Sequence, residues 1–163
     1  MSRLLFAIIL IVACATGAVA GPREDADDTF GRGDYTKAAQ LLRPYADQGD
    51  TLAQLQMGLM YDEGLGVTQD YQEAMKWFQR SAKQGFVPAQ NALGLKYHFG
   101  RGIRRDLLAY MWLNIAAAAL SGDERKEALK NRDHVASQMT TAQIEKAQEM
   151  ARHCQQSKFK ECD

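Results

Sequence analysis

Apolar residues recur along this chain at helical spacing, and the pattern they make is itself repeated. Ala53, Met57, Gly58 and Tyr61 fall on one stripe of a helix predicted over about 51–62. Gly64 and Gly66 then stop it, because glycine takes the left-handed conformation after a last turn at little cost. Asp70 is placed as the N-cap of a second helix, where a carboxylate accepts hydrogen bonds from free backbone amides. That helix carries Ala74, Trp77, Phe78 and Ala82 inward and ends at Gly85. Pro88 opens the next helix at a position where its missing N–H costs nothing. Beyond the first twenty residues β-branched residues are sparse and Ala, Leu, Gln, Lys and Glu dominate. The expected fold class is therefore all-α.

The period is 36 residues. At that offset Ala53, Gln54, Gly58, Leu59, Tyr61, Gly64, Gly66 and Asp70 meet Ala89, Gln90, Gly94, Leu95, Tyr97, Gly100, Gly102 and Asp106. Chance at ordinary residue frequencies gives about one identity in such a window. Upstream, Asp34, Tyr35, Ala38, Ala46, Gln48 and Gly49 match Asp70, Tyr71, Ala74, Ala82, Gln84 and Gly85. The second copy then slips by one residue: Trp77 corresponds to Trp112, and Ala109 stands in for Ala74. Each unit reads as two antiparallel helices. Gly58 and Gly94 each cost about 1 kcal/mol against alanine inside a helix. Their recurrence predicts that a neighbouring helix approaches too closely for a side chain.

The first copy runs Ala53, Met57, Gly58, Tyr61, Gly64, Gly66, Val67, Asp70, Ala74, Trp77, Phe78, Ala82, Gly85. The second runs Ala89, Leu93, Gly94, Tyr97, Gly100, Gly102, Ile103, Asp106, Ala109, Trp112, Ala116. This pattern resembles the Sel-one-like repeat, a relative of the tetratricopeptide repeat, over about residues 34–120. The resemblance implies a right-handed α–α superhelix and a role in protein–protein interaction. Repeats cannot bury their end faces alone, so caps are expected. Ser121 to Gln138 predicts a capping helix with Ser121 and Glu124 as a capping box, and Thr140 with Gln143 starts another, with Ile144, Ala147, Met150 and Ala151 inward. Pro44 sits inside the leading helix and is expected to kink it. Residues 21–33, rich in Asp and Gly, are expected to be a flexible lead-in.

The N-terminus reads as an export signal: Arg3 supplies positive charge, Leu4 to Val12 is unbroken apolar sequence, and Ala18-Val19-Ala20 offers a cleavage site after Ala20. The apolar run is short for a membrane span. Ile11-Val12-Ala13-Cys14 offers a second route, lipidation at Cys14. Either route places the domain outside the cytoplasm, as a periplasmic or secreted protein. Cys154 and Cys162 then remain as a pair for a disulfide. Eight residues of helix span about 12 Å, and a disulfide needs Cα atoms within about 7 Å. The helix must therefore end soon after Cys154, with the tail folded back over 121–163 as a stapled cap.

Twenty basic residues balance twenty acidic ones, so the basic excess of a nucleic-acid binder is missing. The Gly-x-Gly turns lack the strand–helix context of a phosphate loop, and no hydrolase or zinc-protease motif occurs. His98, His134 and His153 are scattered and read as surface or helix-end residues; neither a metal nor a cofactor is expected. Asp70 and Asp106 read as N-caps rather than an acid–base pair, and Trp77, Phe78 and Trp112 as core. Function then falls to binding a protein or peptide along the first helices of each pair, which line the concave face of such solenoids. Gln54, Gln56, Met60, Gln90, Lys96 and His98 lie off the packing stripe and are the candidate groove. Arg101, Arg104 and Arg105 form a candidate basic patch for an acidic partner. The alternative function is β-lactam binding or hydrolysis, as linked to cysteine-rich members of the family. Those carry a cysteine pair in each repeat, whereas Cys154 and Cys162 occur once and outside the repeats.

Overall fold

A computed structural model describes residues 22–100 and 105–162, and among these every regular element is a helix. They are α1 (Pro22–Gly31), α2 (Tyr35–Asp47), α3 (Thr51–Glu63), α4 (Tyr71–Ala82), α5 (Val87–Phe99), α6 (Asp106–Ala119), α7 (Gly122–Ala136) and α8 (Thr141–Gln156). From α1 to α7 each helix packs on the next, and α8 returns to pack on α6. The result is an α–α solenoid of helix pairs with a helical end. The expected signal segment, with Cys14, lies outside the described residues.

Small residues set the distance within each pair. A Cβ added at Gly58 would lie 2.5 Å from the Phe78 ring, and one at Gly94 would lie 2.7 Å from Leu113 Cγ. Phe78 and Leu113 are themselves fully buried. The close approach expected from the recurring glycines is thus made by the second helix of the same pair. Gly66 serves the joint between pairs. It has φ +68°, and a Cβ there would collide with the backbone of Tyr35 and Thr36 at the start of α2. Trp77 is completely buried among Ala38, Leu42, Met57 and Met60, with the guanidinium groups of Arg43 and Arg80 over its ring at 5.2 and 4.5 Å.

Helix boundaries follow local chemistry with three departures from the sequence reading. Asp34, Asp50, Asp70 and Thr140 cap their helices with side-chain hydrogen bonds, and Thr140 with Gln143 completes a capping box. Asp106 does not cap. It is the first residue of α6, and Arg105 occupies the N-cap without a side-chain bond. The one-residue slip explains this: Asp70 N–H donates to Tyr61 O, and it is Arg105 N–H that donates to the equivalent Tyr97 O. The Ser121–Glu124 box is also absent; Gly122 follows with φ 57°, and Ser121 makes no cap bond. Finally, residues 22–31 are not a flexible lead-in but form α1. Ala26 and Thr29 are buried, and the Phe30 ring meets Tyr35 edge-on at 5.5 Å. Only this narrow stripe is inward, so the segment's many Asp residues remain in solvent and hide the helix from a composition-based reading. α2 continues through Pro44 to Asp47. Pro44 lies in the last turn, where few bonds are left to break.

At the other end, Cys154 and Cys162 form a disulfide with Cα atoms 4.6 Å apart, as the spacing required. The chain reverses after α8 through Lys158 and Phe159, both at positive φ, and the half-buried Phe159 ring seats on Gly85 in the α4–α5 turn.

Gly58→Leu is expected to destabilise the fold by about 3 kcal/mol through overpacking against Phe78, lowering the melting temperature by several degrees. A thermal melt matching wild type counts against this packing. A second expectation concerns acid. Burial works to raise the Asp50 carboxyl, but the Ala53 amide and the Arg23 guanidinium outweigh it and hold the group below its ordinary value of 3.8. A depressed carboxyl contributes stability that is complete above its unfolded value and is lost as pH falls through the folded one. Melts from pH 6 down to pH 2.5 should show the gap between wild type and Asp50→Asn narrowing below about pH 4; a constant gap refutes the linkage.

Candidate functional site

The first helices of the pairs, α1, α3 and α5, share one face of the solenoid. On α3 the residues on this side are Leu52, Leu55, Leu59 and Glu63, and on α5 they are Pro88, Asn91, Ala92, Leu95 and Phe99; Leu55, Leu59, Ala92 and Leu95 are partly buried against the core. Each set recurs at three- and four-residue steps, so it is one strip of a helix. Leu52 is 40% exposed and Phe99 62%, and these are the exposed large apolar residues among those described. The strip is flanked by polar bridges from helix to helix. Arg23 on α1 reaches Asp27 and Asp50, Gln56 donates to Asp27 Oδ1 at 3.0 Å, and Lys96 on α5 pairs with the buried Asp62 on α3. Burial acts to lower the Arg23 guanidinium's pKa, but Asp50 and Asp27 more than reverse it and raise it. Gln56 Oε1 and Asn91 Oδ1 are buried acceptors with no donor. At the far edge Phe99 stacks on His134 of α7 at 5.7 Å.

This geometry relocates most of the groove expected from sequence. Gln54 and Gln90 are buried and do not face a ligand. Gln54 Nε2 donates to Ala46 O at 2.9 Å, and Gln90 Nε2 to Ala82 O at 3.3 Å. Each satisfies a last-turn carbonyl of the preceding helix, which has no partner within its own helix. Met60 is core, packed with Met57 and Trp77. Gln56 is almost wholly buried, and Lys96 is half-buried in its pair with Asp62. His98 is also buried, with Nδ1 2.9 Å from Asp106 Oδ1 and its ring edge-on to Phe99 and His134. His98 and His134 are therefore neighbours, not scattered. Among the described residues no group of three or more His, Cys, Asp or Glu is arranged to hold a metal. Of the basic patch, Arg101 and Arg104 lie outside the described residues, and Arg105 is exposed at the start of α6.

The Sel1 repeat model matches residues 29–50, 51–86 and 87–119, more than half of the chain, and its second and third matches coincide with α3–α4 and α5–α6. The chain belongs to the Sel1 repeat family. Solved structures agree. A protective antigen present in uropathogenic Escherichia coli strains, which displays an SLR fold, superposes with a TM-score of 0.73 at 25% identity over 85% of this chain. A Sel1 repeat protein from Oxalobacter formigenes superposes with a TM-score of 0.59 at 29% identity over 68% of this chain. The chain spans 31% and 44% of the length of those two proteins. No curated protein matches it. The fold is thus the right-handed superhelix implied by the resemblance.

Within a Sel1 repeat the first helix packs on two sides, against its own partner and against the preceding pair. Positions off the Ala53–Met57 stripe are therefore not free by default. The glutamines fall on the second packed flank, and the remaining third of α3 carries Leu52, Leu55 and Leu59, of which Leu52 is exposed. The readable signal was that α3 and α5 hold apolar residues all round, which marks a helix with more than one contact surface. Lys96→Met is expected to strand the Asp62 carboxylate and destabilise the protein by roughly 2 kcal/mol, the usual penalty for an unpaired buried polar group. A groove lysine with no structural role would leave the thermal melt unchanged.

Proposed function

We propose that this Sel1 repeat protein is an exported, non-enzymatic scaffold that holds a protein or peptide partner on the face of α1, α3 and α5. Sel1 repeats commonly serve as protein–protein interaction scaffolds. The observation that carries the assignment to this face is the pair Leu52 and Phe99, the exposed large apolar residues among those described, with the partly buried Leu55, Leu59 and Leu95 beside them. Polar side chains around them, Gln56 and Lys96 among them, are engaged between helices. Exposed apolar residues on a shared face favour a partner that covers them. Export is supported by the apolar leader with its Ala-Val-Ala site and by the disulfide, which suits an oxidising compartment. No described helix is long and apolar enough to cross a membrane.

The test is affinity capture from envelope extracts with the wild type beside Leu52→Glu and Phe99→Glu, at the two exposed apolar positions. Wild type should retain a defined partner that both variants lose while their circular dichroism and melting temperature stay unchanged. Capture indifferent to both substitutions rejects this face. Turnover of nitrocefin by the purified protein would reject the non-enzymatic assignment.

A further inference from the structure

The second helices of the first two pairs, α2 and α4, place two arginines on one tryptophan. The guanidinium carbons of Arg43 and Arg80 stand 5.2 and 4.5 Å from the Trp77 ring centroid. Two cations gathered at one ring repel each other. Trp77 is completely buried, and these side chains close over it. The repeat itself does not require them. Trp112, the counterpart of Trp77, is equally buried, and among the described residues no guanidinium lies over it. At the 36-residue offset Arg43 corresponds to Gln79. Gln79 Nε2 donates to Tyr97 OH at 2.8 Å, and Arg43 Nη1 approaches the equivalent Tyr61 OH at 3.5 Å. A neutral amide therefore supplies the structural contact at this position. The counterparts of Arg80 are Pro44 and, after the one-residue slip, Ile115, neither of them charged. Both positive charges at Trp77 are thus additions to the repeat.

The two arginines differ in how they are matched. Arg43 Nε pairs with Asp47 at 3.0 Å, and both side chains are about half exposed. Arg80 is exposed, and among the described residues no carboxylate pairs with it and no hydrogen bond uses its N–H groups. Its neighbour Lys76, one turn earlier on α4, is by contrast paired with Glu73 at 3.0 Å. A guanidinium set over an aromatic ring keeps its N–H donors in its own plane, where they form a fork that fits a carboxylate. An anion on Arg80 would also relieve its repulsion with Arg43. Asp47 and Glu73 decide what kind of anion that is. A single carboxylate can reach Arg80 without meeting them, whereas a continuous sheet of anionic headgroups would lie against both.

We propose that the α2–α4 surface over Trp77 is a docking site for an acidic peptide segment of a partner protein, with Arg80 as the fork that takes a carboxylate. Arg43, shared with Asp47, adds positive charge beside it. The contact is exposed and is therefore weakened by salt.

The test uses two labelled ten-residue peptides, one with four glutamates and one with glutamines in their place, titrated against the purified protein by fluorescence anisotropy. The glutamate peptide should bind at least fivefold more tightly, with a preference that shrinks as salt is raised. Arg80→Gln should weaken it at least fivefold, and Arg43→Gln/Arg80→Gln should abolish the preference. Arg80→Lys keeps a cation at Trp77 and loses the fork; it should retain the wild-type melt and still bind at least twofold more weakly. Arg125→Gln, at an exposed arginine on α7, and Leu52→Glu, on the face of α3, should leave binding unchanged. Equal binding of the two peptides overturns the proposal. So does full binding by a folded double variant, or a loss with Arg125→Gln or Leu52→Glu as large as with Arg80→Gln. Binding to phosphatidylglycerol vesicles that the double variant loses, with no preference for the glutamate peptide, would make a membrane the occupant and reject the acidic segment.

Discussion

Between α3 and α4 there is no room for a side chain at position 58, and between α5 and α6 there is none at position 94. Phe78 and Leu113 press directly on the backbone of the facing helix. Contact at this range brings many atoms into dispersion distance at once and gives each pair a single, well-defined spacing. The cost of glycine in a helix interior is about 1 kcal/mol, and it is offset by burying a large side chain in the space so made. Gly66 extends the same constraint from pair to pair by letting the α3–α4 loop lie against the start of α2. Every other feature of the solenoid presupposes these spacings.

With the spacing set, the polar groups of the helix ends must find partners in the joints. Gln54 and Gln90 reach the free carbonyls of Ala46 and Ala82, and Ser81 Oγ donates to Thr51 O at 2.8 Å. Arg23, Asp27, Gln56, Asp62 and Lys96 link the first helices to one another. Polar residues are thus consumed at the joints. On α3 and α5 the large apolar residues left exposed are Leu52 and Phe99. Their exposure is a by-product of how the pairs are fastened together.

The ends obey different rules from the middle. α1 closes the solenoid with a thin inward stripe of Ala26, Thr29 and Phe30. α8 and the tail close it by a covalent bond that brings Phe159 onto Gly85. The cap leans on α6, where Met111 and Trp112 are buried, but leaves Leu107 and Leu108 only partly covered.

The repeat period, the helix pairs, the close-packed glycines and the Cys154–Cys162 bond were all legible in the amino-acid sequence. Each depends on local spacing or on a steric property of one residue type, so periodicity alone determines it. Which way a polar side chain on α3 or α5 points was not legible. A glutamine at position 54 or 90 has the same local pattern whether it faces solvent or a neighbouring carbonyl, and only the stacking of the preceding pair decides it. The N-cap of α6 was misassigned for a related reason. Asp106 matches Asp70 in identity, but the register of the helix is set by the packing of Trp112 and Leu113, one residue out of step. Helix α1 escaped notice because three inward residues in a run of aspartates become a buried stripe only when α2 is there to receive them.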